Sequence, residues 1–172
     1  GRAMEKNIIL TGMMGCGKTT VGKLLSRRLG LELADTDALI VARQGRSIPD
    51  IFAQDGEPAF RAMELELCRE LSRRRRLVIA CGGGLPLQAE AIAALKENGL
   101  VFWLDRDPGE TYDGLDLSGR PLAQGGREDF LQRYERRAPV YRRWADYIIP
   151  CGDGPQEAER LISTIYLEVS QS

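Results

Sequence analysis

Gly12-Met13-Met14-Gly15-Cys16-Gly17-Lys18-Thr19, following the apolar run Asn7-Ile8-Ile9-Leu10, is the stretch whose reading decides the fold. It matches G-x-x-x-x-G-K-[ST] in full, and a helix-like segment, Thr20 to Leu29, leaves it. The glycines let successive backbone N–H groups turn inward, and a helix N-terminus adds a favourable dipole for an anion. Lys18 supplies a mobile point charge for β- and γ-phosphates, and the Thr19 hydroxyl suits a Mg²⁺ shell. Gly12, Gly15, Cys16, Gly17, Lys18, Thr19 and Thr20 are therefore the expected nucleotide-binding residues. A glycine-rich turn that binds nothing does not require the strand, the spacing and the Gly-Lys-Thr ending together. The motif implies a nucleotide and is silent on what is done with it.

The 172 residues suit one domain, expected over 4–172, with Gly1-Arg2-Ala3 read as a tag remnant. A net charge of -1 argues against broad electrostatic binding to nucleic acid or anionic membrane. The one basic run, Arg73 to Arg76, reads as a solvated helix end. No apolar stretch approaches the ~18 residues of a membrane span. Cys16, Cys68, Cys81 and Cys151 are scattered without a C-x-x-C pair, which points to free thiols and a cytoplasmic setting. There is no histidine, so His-assisted nucleophiles and His-based metal sites are excluded. Any general base is a carboxylate, Lys, Tyr or Cys.

Strands and helices alternate. Leu31-Glu32-Leu33-Ala34 reads as a second strand running into Asp35-Thr36-Asp37, followed by a helix to about Gln44. Ser47 caps a short helix through Gln54, with Gly56 closing it. Glu57 to about Arg73 is a longer helix carrying Phe60, Met63, Leu67 and Leu71 at spacings of three and four. Leu77 to Cys81 is a strand delivering Gly82-Gly83-Gly84, and Pro86 to Asn98 reads as one helix stopped by Gly99. Leu100 to Leu104 is the fourth strand, Arg127 to Trp144 a helix in which Pro139 predicts a kink or break, and Tyr147-Ile148-Ile149 the fifth strand. A helix from Pro155 to about Val169 closes the chain. Continuous apolar strands separated by helices imply a three-layer α/β/α fold with a five-stranded parallel sheet. Ligands in such folds sit beyond the C-terminal strand ends, which here carry the glycine loop, Asp35/Asp37 and the triple glycine.

A guanine-reading GTPase is excluded, because neither Asn7 nor Asn98 begins an N-K-x-D element. An ATPase reading would place Asp105 near magnesium, but Arg106 stands where a hydrolytic Glu belongs. A small-molecule kinase needs a second site beside the γ-phosphate. Asp35 and Asp37, on alternate positions of an extended segment, would leave on one side, one organising Mg²⁺ and the other accepting a hydrogen bond from an acceptor hydroxyl. Helix capping is the competing explanation for the pair.

Gly12-Met13-Met14-Gly15-x-Gly17-Lys18-Thr19-Thr20-Val21-Gly22 followed by Asp35-x-Asp37 resembles shikimate kinase. So do Ile48-x-Asp50-Ile51-Phe52-Ala53-x-Asp55-Gly56-Glu57, Phe60-Arg61-x-x-Glu64, Gly82-Gly83-Gly84, Arg120-Pro121-Leu122 and Arg137-x-Pro139-x-Tyr141. These run in order over roughly residues 7 to 150, and the set is far more specific than the phosphate loop alone. The resemblance implies a nucleoside-monophosphate-kinase-like P-loop fold with a substrate-binding region at about 36–75 and a mobile lid at about 112–126. It implies transfer of the γ-phosphoryl of ATP to the 3-hydroxyl of shikimate, with Mg²⁺, on the route to chorismate, in a cytoplasmic protein expected to be monomeric. Lys18, Asp37 and Arg120 match the family's catalytic positions, Arg120 being the lid arginine that closes over the phosphates. Asp37, Phe52, Phe60, Arg61, Glu64, Gly82, Gly83, Gly84 and Arg137 match its substrate-binding positions, with Arg61 and Arg137 on the shikimate carboxylate. Thr19 and Asp35 match the metal positions, and Pro155 would pack on the base. A kinase for another hydroxylated acid such as gluconate, or a non-catalytic nucleotide-binding relative, is the alternative.

Two departures stand out. Cys16 replaces a residue that is usually Ser or another small one, and a thiol at a helix N-terminus is expected to alkylate unless ATP protects it. From Asp107 to Gly119 there is no Lys or Arg, and the loop Cys151-Gly152-Asp153-Gly154-Pro155 has none either, whereas relatives often pack a lid arginine on adenine.

Overall fold

The structure, a computed structural model, describes residues 6–115 and 125–171. Its strands are β1 (Asn7–Thr11), β2 (Glu32–Asp35), β3 (Leu77–Ala80), β4 (Gly99–Asp105) and β5 (Tyr147–Pro150). They form one sheet in the order β2-β3-β1-β4-β5, and every pairing is parallel. The helices among the described residues are α1 (Lys18–Leu29), α2 (Thr36–Gln44), α3 (Ile48–Asp55), α4 (Glu57–Ser72), α5 (Ala89–Lys96), α6 (Pro108–Asp113), α7 (Gly126–Trp144) and α8 (Pro155–Gln171).

Side chains alternate across a strand, and β1 serves two cores in this way. Ile8 and Leu10 join Val21 and Leu25 of α1 and Ala158, Ile162 and Tyr166 of α8 on one face. Ile9 joins Phe60, Leu67 and Leu71 of α4 and Ile92 and Leu95 of α5 on the other. Each such fully buried side chain contributes about 2 kcal/mol, which fixes the strand between two helical layers. A third cluster, Met13, Trp103, Phe130 and Tyr141, binds α7 to the loop after β1. The three-layer expectation holds.

Local signals explain most boundaries. Ser47 caps α3 by accepting from the Asp50 N–H at 3.1 Å, and Pro58 sits in the first turn of α4, where its missing donor costs nothing. α1 ends on Gly30 in the left-handed conformation.

Three expectations are corrected. Pro86 to Asn98 is not one helix: a 3₁₀ turn at Leu85–Leu87 is separated from α5 by Gln88 in an extended conformation. Gly99 does not cap that helix but opens β4, because a Cβ there would run into Ile9 and lie 3.1 Å from the Asn7 carbonyl oxygen. α7 runs through Pro139 without a break. The basic run after α4 is a solvated end as expected, with Arg74 pairing with Glu32 at the surface. No helix among the described residues is long and apolar enough to cross a membrane.

Candidate active site

The phosphate loop runs from the buried end of β1 into α1, and Gly12, Gly15 and Gly17 all adopt positive φ (142°, 80° and 103°). Those angles are open to glycine at little strain, which is why the residue type recurs there. Lys18 Nζ curls over the loop and donates to the carbonyls of Gly12 at 2.6 Å and Met13 at 3.0 Å. The Cys16 thiol is tucked beneath, 3.8 Å from the same Nζ and only 5% exposed. This overturns the expectation of a readily alkylated thiol: the sulfur faces the interior of the loop.

Asp35 is the last residue of β2 and also the N-cap of α2, its Oδ1 accepting from the Ala38 N–H at 3.0 Å. Its Oδ2 accepts from the Thr19 hydroxyl at 3.2 Å. The two aspartates therefore do not alternate along an extended segment, because the chain turns helical at Thr36. Capping and function coexist in Asp35, and Asp37 reaches the same cleft from the first turn of α2. That cleft, of 420 Å³, lies between the phosphate loop and the end of β3, with Lys18, Thr19, Asp35, Asp37 and Gly82 in its wall. Burial foremost, and then the Asp35 charge, push the Asp37 carboxyl above its ordinary range, while Lys18 and Arg61 oppose the shift.

The triple glycine has a more specific use than close approach of substrate. A Cβ on Gly82 would lie 2.5 Å from Asp37 Oδ1, one on Gly83 3.1 Å from Arg137 Nη1, and one on Gly84 2.6 Å from Arg61 Nη2. Each glycine makes room for one functional side chain from a different helix, so α2, α4 and α7 converge on three consecutive residues. The buried Thr36 hydroxyl accepts from the Gly82 N–H at 2.9 Å and locks the loop to α2.

Arg61 Nη1 donates to Glu64 Oε1 at 2.7 Å, and Gln88 Nε2 donates to the same oxygen at 3.1 Å. Glu64 is 1% exposed; its burial raises its pKa, and the Arg61 guanidinium pulls it back. A buried carboxylate held by two donors fixes the guanidinium, whose Nε also pairs with Glu57 at 3.5 Å. Phe60 lies under Arg61, 5.4 Å from its guanidinium carbon, and Phe52 tilts against Phe60 at 5.2 Å between ring centroids. Phe52, Phe60, Arg61 and Glu64 line a second, 130 Å³ pocket that shares Asp37, Gly82 and Gly83 with the first. On α7, Arg137 hydrogen-bonds Tyr141, whose hydroxyl donates to the Gly83 carbonyl at 2.7 Å. Desolvation pushes the Tyr141 phenol up to about 12, so it remains a donor.

On the other side of the loop, Pro155 lines a cleft of 330 Å³ with Gly15, Thr20, Arg106 and Cys151. Arg120 and most of the expected lid, residues 116–124, lie outside the described residues. Among the described residues no cluster of three or more His, Cys, Asp or Glu could hold a metal. Thr19 and Asp35 instead present a pair of adjacent oxygens beside the phosphate loop, a donor set of the hard type that Mg²⁺ takes together with phosphate oxygens.

Sequence reasoning missed Thr36, Gln88 and Tyr141 as supports. Tyr141 was legible, standing one helical turn from Arg137; Gln88 had no local signal.

The family model for shikimate kinase matches residues 14–167. The shikimate kinase of Clostridium beijerinckii is 38% identical over 146 residues, covering 85% of this chain and 86% of that protein. That of Methylococcus capsulatus is 40% identical over 168 residues, covering 94% and 93%. Among solved structures, shikimate kinase from Acinetobacter baumannii in complex with shikimate superposes with a TM-score of 0.83 at 38% identity, covering 98% of this chain and 95% of that one. Shikimate kinase from Aquifex aeolicus gives 0.81 at 35%, covering 96% and 98%.

Proposed function

This chain belongs to the shikimate kinase family, and from that premise we propose how its own residues move the γ-phosphoryl of ATP to the 3-hydroxyl of shikimate. The observation that carries the reading is the junction at Asp37. One carboxylate borders both the phosphate-loop cleft and the pocket walled by Arg61 and Phe60. A hydroxyl held there faces whatever the Lys18 loop presents.

Phosphoryl transfer through a loose transition state demands alignment and charge neutralisation more than covalent help. Asp37 accepts a hydrogen bond from the attacking hydroxyl and takes its proton as the oxygen bonds to the γ-phosphorus and the bond from that phosphorus to the bridging oxygen breaks, ADP being the leaving group. Arg61 and Arg137 take the ring carboxylate: Glu64 and Tyr141 hold the two guanidiniums in place, and Gly84 and Gly83 give them room. Phe60 and Phe52 supply an apolar wall for the ring. Lys18 exchanges its bonds with the loop carbonyls for phosphate oxygens, and Arg120 adds a second cation from the lid. Thr19 and Asp35 would hold Mg²⁺. Bound Mg²⁺ supplies electrostatic stabilisation of the phosphate charge. Two adjacent guanidiniums favour a carboxylated acceptor, and the small Asp37–Phe60 pocket favours a compact ring over an open-chain acid such as gluconate. Four free and buried thiols support work in a reducing compartment, the cytoplasm.

The test is a coupled ADP-release assay with Mg²⁺-ATP and, in turn, shikimate, quinate and gluconate. Release that depends on shikimate supports the reading; a chain that prefers gluconate, or that releases no ADP with any acceptor, overturns it.

A further inference from the structure

Gln88 stands at a position its side chain does not serve locally. It is the N-cap of α5, with an extended backbone, and its side chain makes no hydrogen bond to that helix. Ser, Thr, Asp and Asn suit an N-cap because a short polar side chain reaches the open N–H groups, and a Gln forgoes that bond. Its amide instead reaches 24 residues back, where Nε2 donates to Glu64 Oε1 at 3.1 Å, the oxygen that also takes Arg61 Nη1. Gln88 is carried on a stiff arm. Leu85 N–H bonds to the Gly82 carbonyl at 3.0 Å, Leu87 N–H to that of Gly84 at 3.1 Å and Gln88 N–H to that of Leu85 at 3.0 Å, winding the chain into the 3₁₀ turn in which Leu85 and Pro86 are buried. This one segment meets the supports of both site arginines. Its Gly83 carbonyl accepts from Tyr141, the partner of Arg137, and its Gln88 holds Glu64, the partner of Arg61.

We propose that Gln88 is a positioning residue for the acceptor: through Glu64 it sets the direction in which Arg61 meets the acceptor carboxylate. The inference rests on Arg61 as a carboxylate-binding group. The last torsion of a glutamate is broad, so one donor leaves the carboxylate plane loosely defined, and a second donor from a different element narrows it. The alternative partner of Arg61 is Glu57, at 3.5 Å and with its side chain 61% exposed, which draws the guanidinium toward solvent. Gln88 favours the buried partner by keeping Glu64 ionised and aligned. A competing role is a plain staple between α4 and α5, and loss of a staple would disturb the whole site and not one arginine.

Steady-state kinetics of the whole chain, with Mg²⁺-ATP and shikimate in the coupled ADP-release assay, separates the two. Gln88→Leu removes the donor at similar size, and Gln88→Glu keeps the shape but sets a second carboxylate beside Glu64 to compete for Arg61. The KM for shikimate should rise about fivefold in Gln88→Leu and more than about tenfold in Gln88→Glu, with kcat and the KM for ATP within about twofold of the unmodified chain. In an Arg61→Ala background, Gln88→Leu should leave kcat/KM for shikimate within about twofold, because two residues acting in series are not additive. An unchanged KM for shikimate in either variant, an equal change in the ATP parameters, or full additivity with Arg61→Ala would each overturn the assignment. An unmodified chain inactive with shikimate refutes the proposed function and this inference with it; an active chain indifferent to Gln88 refutes this inference alone.

Discussion

Gly82→Ala puts one methyl group in place of a hydrogen and changes nothing else, yet it should cripple turnover. The backbone at Gly82 lies outside the left-handed region, so alanine adopts it without strain. The new Cβ would stand 2.5 Å from Asp37 Oδ1 and 3.0 Å from both Cγ and Oδ2, where ordinary contact begins at 3.4 Å. The carboxylate must therefore retreat by about 0.9 Å, because the Thr36–Gly82 hydrogen bond of 2.9 Å keeps loop and helix together. A misplacement of ~1 Å costs about 10²-fold in rate when the displaced group aligns the nucleophile. In the coupled ADP-release assay kcat should fall about a hundredfold, with ADP affinity unchanged by calorimetry and the unfolding midpoint within a few degrees. The neighbours give the control. Gly84→Ala presses on Arg61 Nη2 at 2.6 Å and should raise the KM for shikimate more than it lowers kcat, whereas Gly83→Ala, at 3.1 Å from Arg137, should do the same more mildly. A Gly82→Ala enzyme whose kcat stays within twofold of the unmodified chain would refute the reasoning.

Asp37→Asn should lower kcat by about 10²–10⁴ while leaving ADP binding intact, and it should raise the thermal unfolding midpoint at neutral pH. The sign follows from the raised carboxyl: its contribution to stability is full below the ordinary carboxylate range and is lost as pH climbs through the raised folded value, so the native state holds an ionised Asp37 at a cost. The same shift predicts that activity declines on acidification above the range of an ordinary Asp; an acid limb at or below that range counts against Asp37. Tyr141→Phe removes the donor to the Gly83 carbonyl and should raise the KM for shikimate roughly fivefold, about 1 kcal/mol, with ATP parameters unmoved. Thr19→Val should shift the Mg²⁺ titration of activity to higher concentration, and an unchanged titration would remove Thr19 from the metal shell.

Element order was legible because apolar runs, caps and glycines each have a local cause. The phosphate loop, the Ser47 cap and the Pro58 entry to α4 lie where the residues put them. What was not legible depends on tertiary contact. Gly99 looks like a helix stop and is instead a point where β4 passes close to β1. Asp35 and Asp37 read as strand neighbours because nothing local announces that the helix begins between them. The triple glycine reads as a loop for substrate, and only the folded chain reveals that three distant side chains occupy its missing methyl positions.

Sheet order also has a consequence for local opening. β1, which anchors the phosphate loop, is paired on both edges by β3 and β4, with Ile8, Ile9 and Leu10 wholly inaccessible. β2, which leads to Asp35 and Asp37, is a four-residue strand at the sheet edge, paired on one side only. Amides of β1 should exchange with solvent deuterium only through global unfolding, and those of β2 and α2 through cheaper, partial opening. The two halves of one active site thus differ in thermodynamic depth. The half that grips phosphate is as durable as the whole molecule, and the half that chooses the acceptor is set in its more yielding margin.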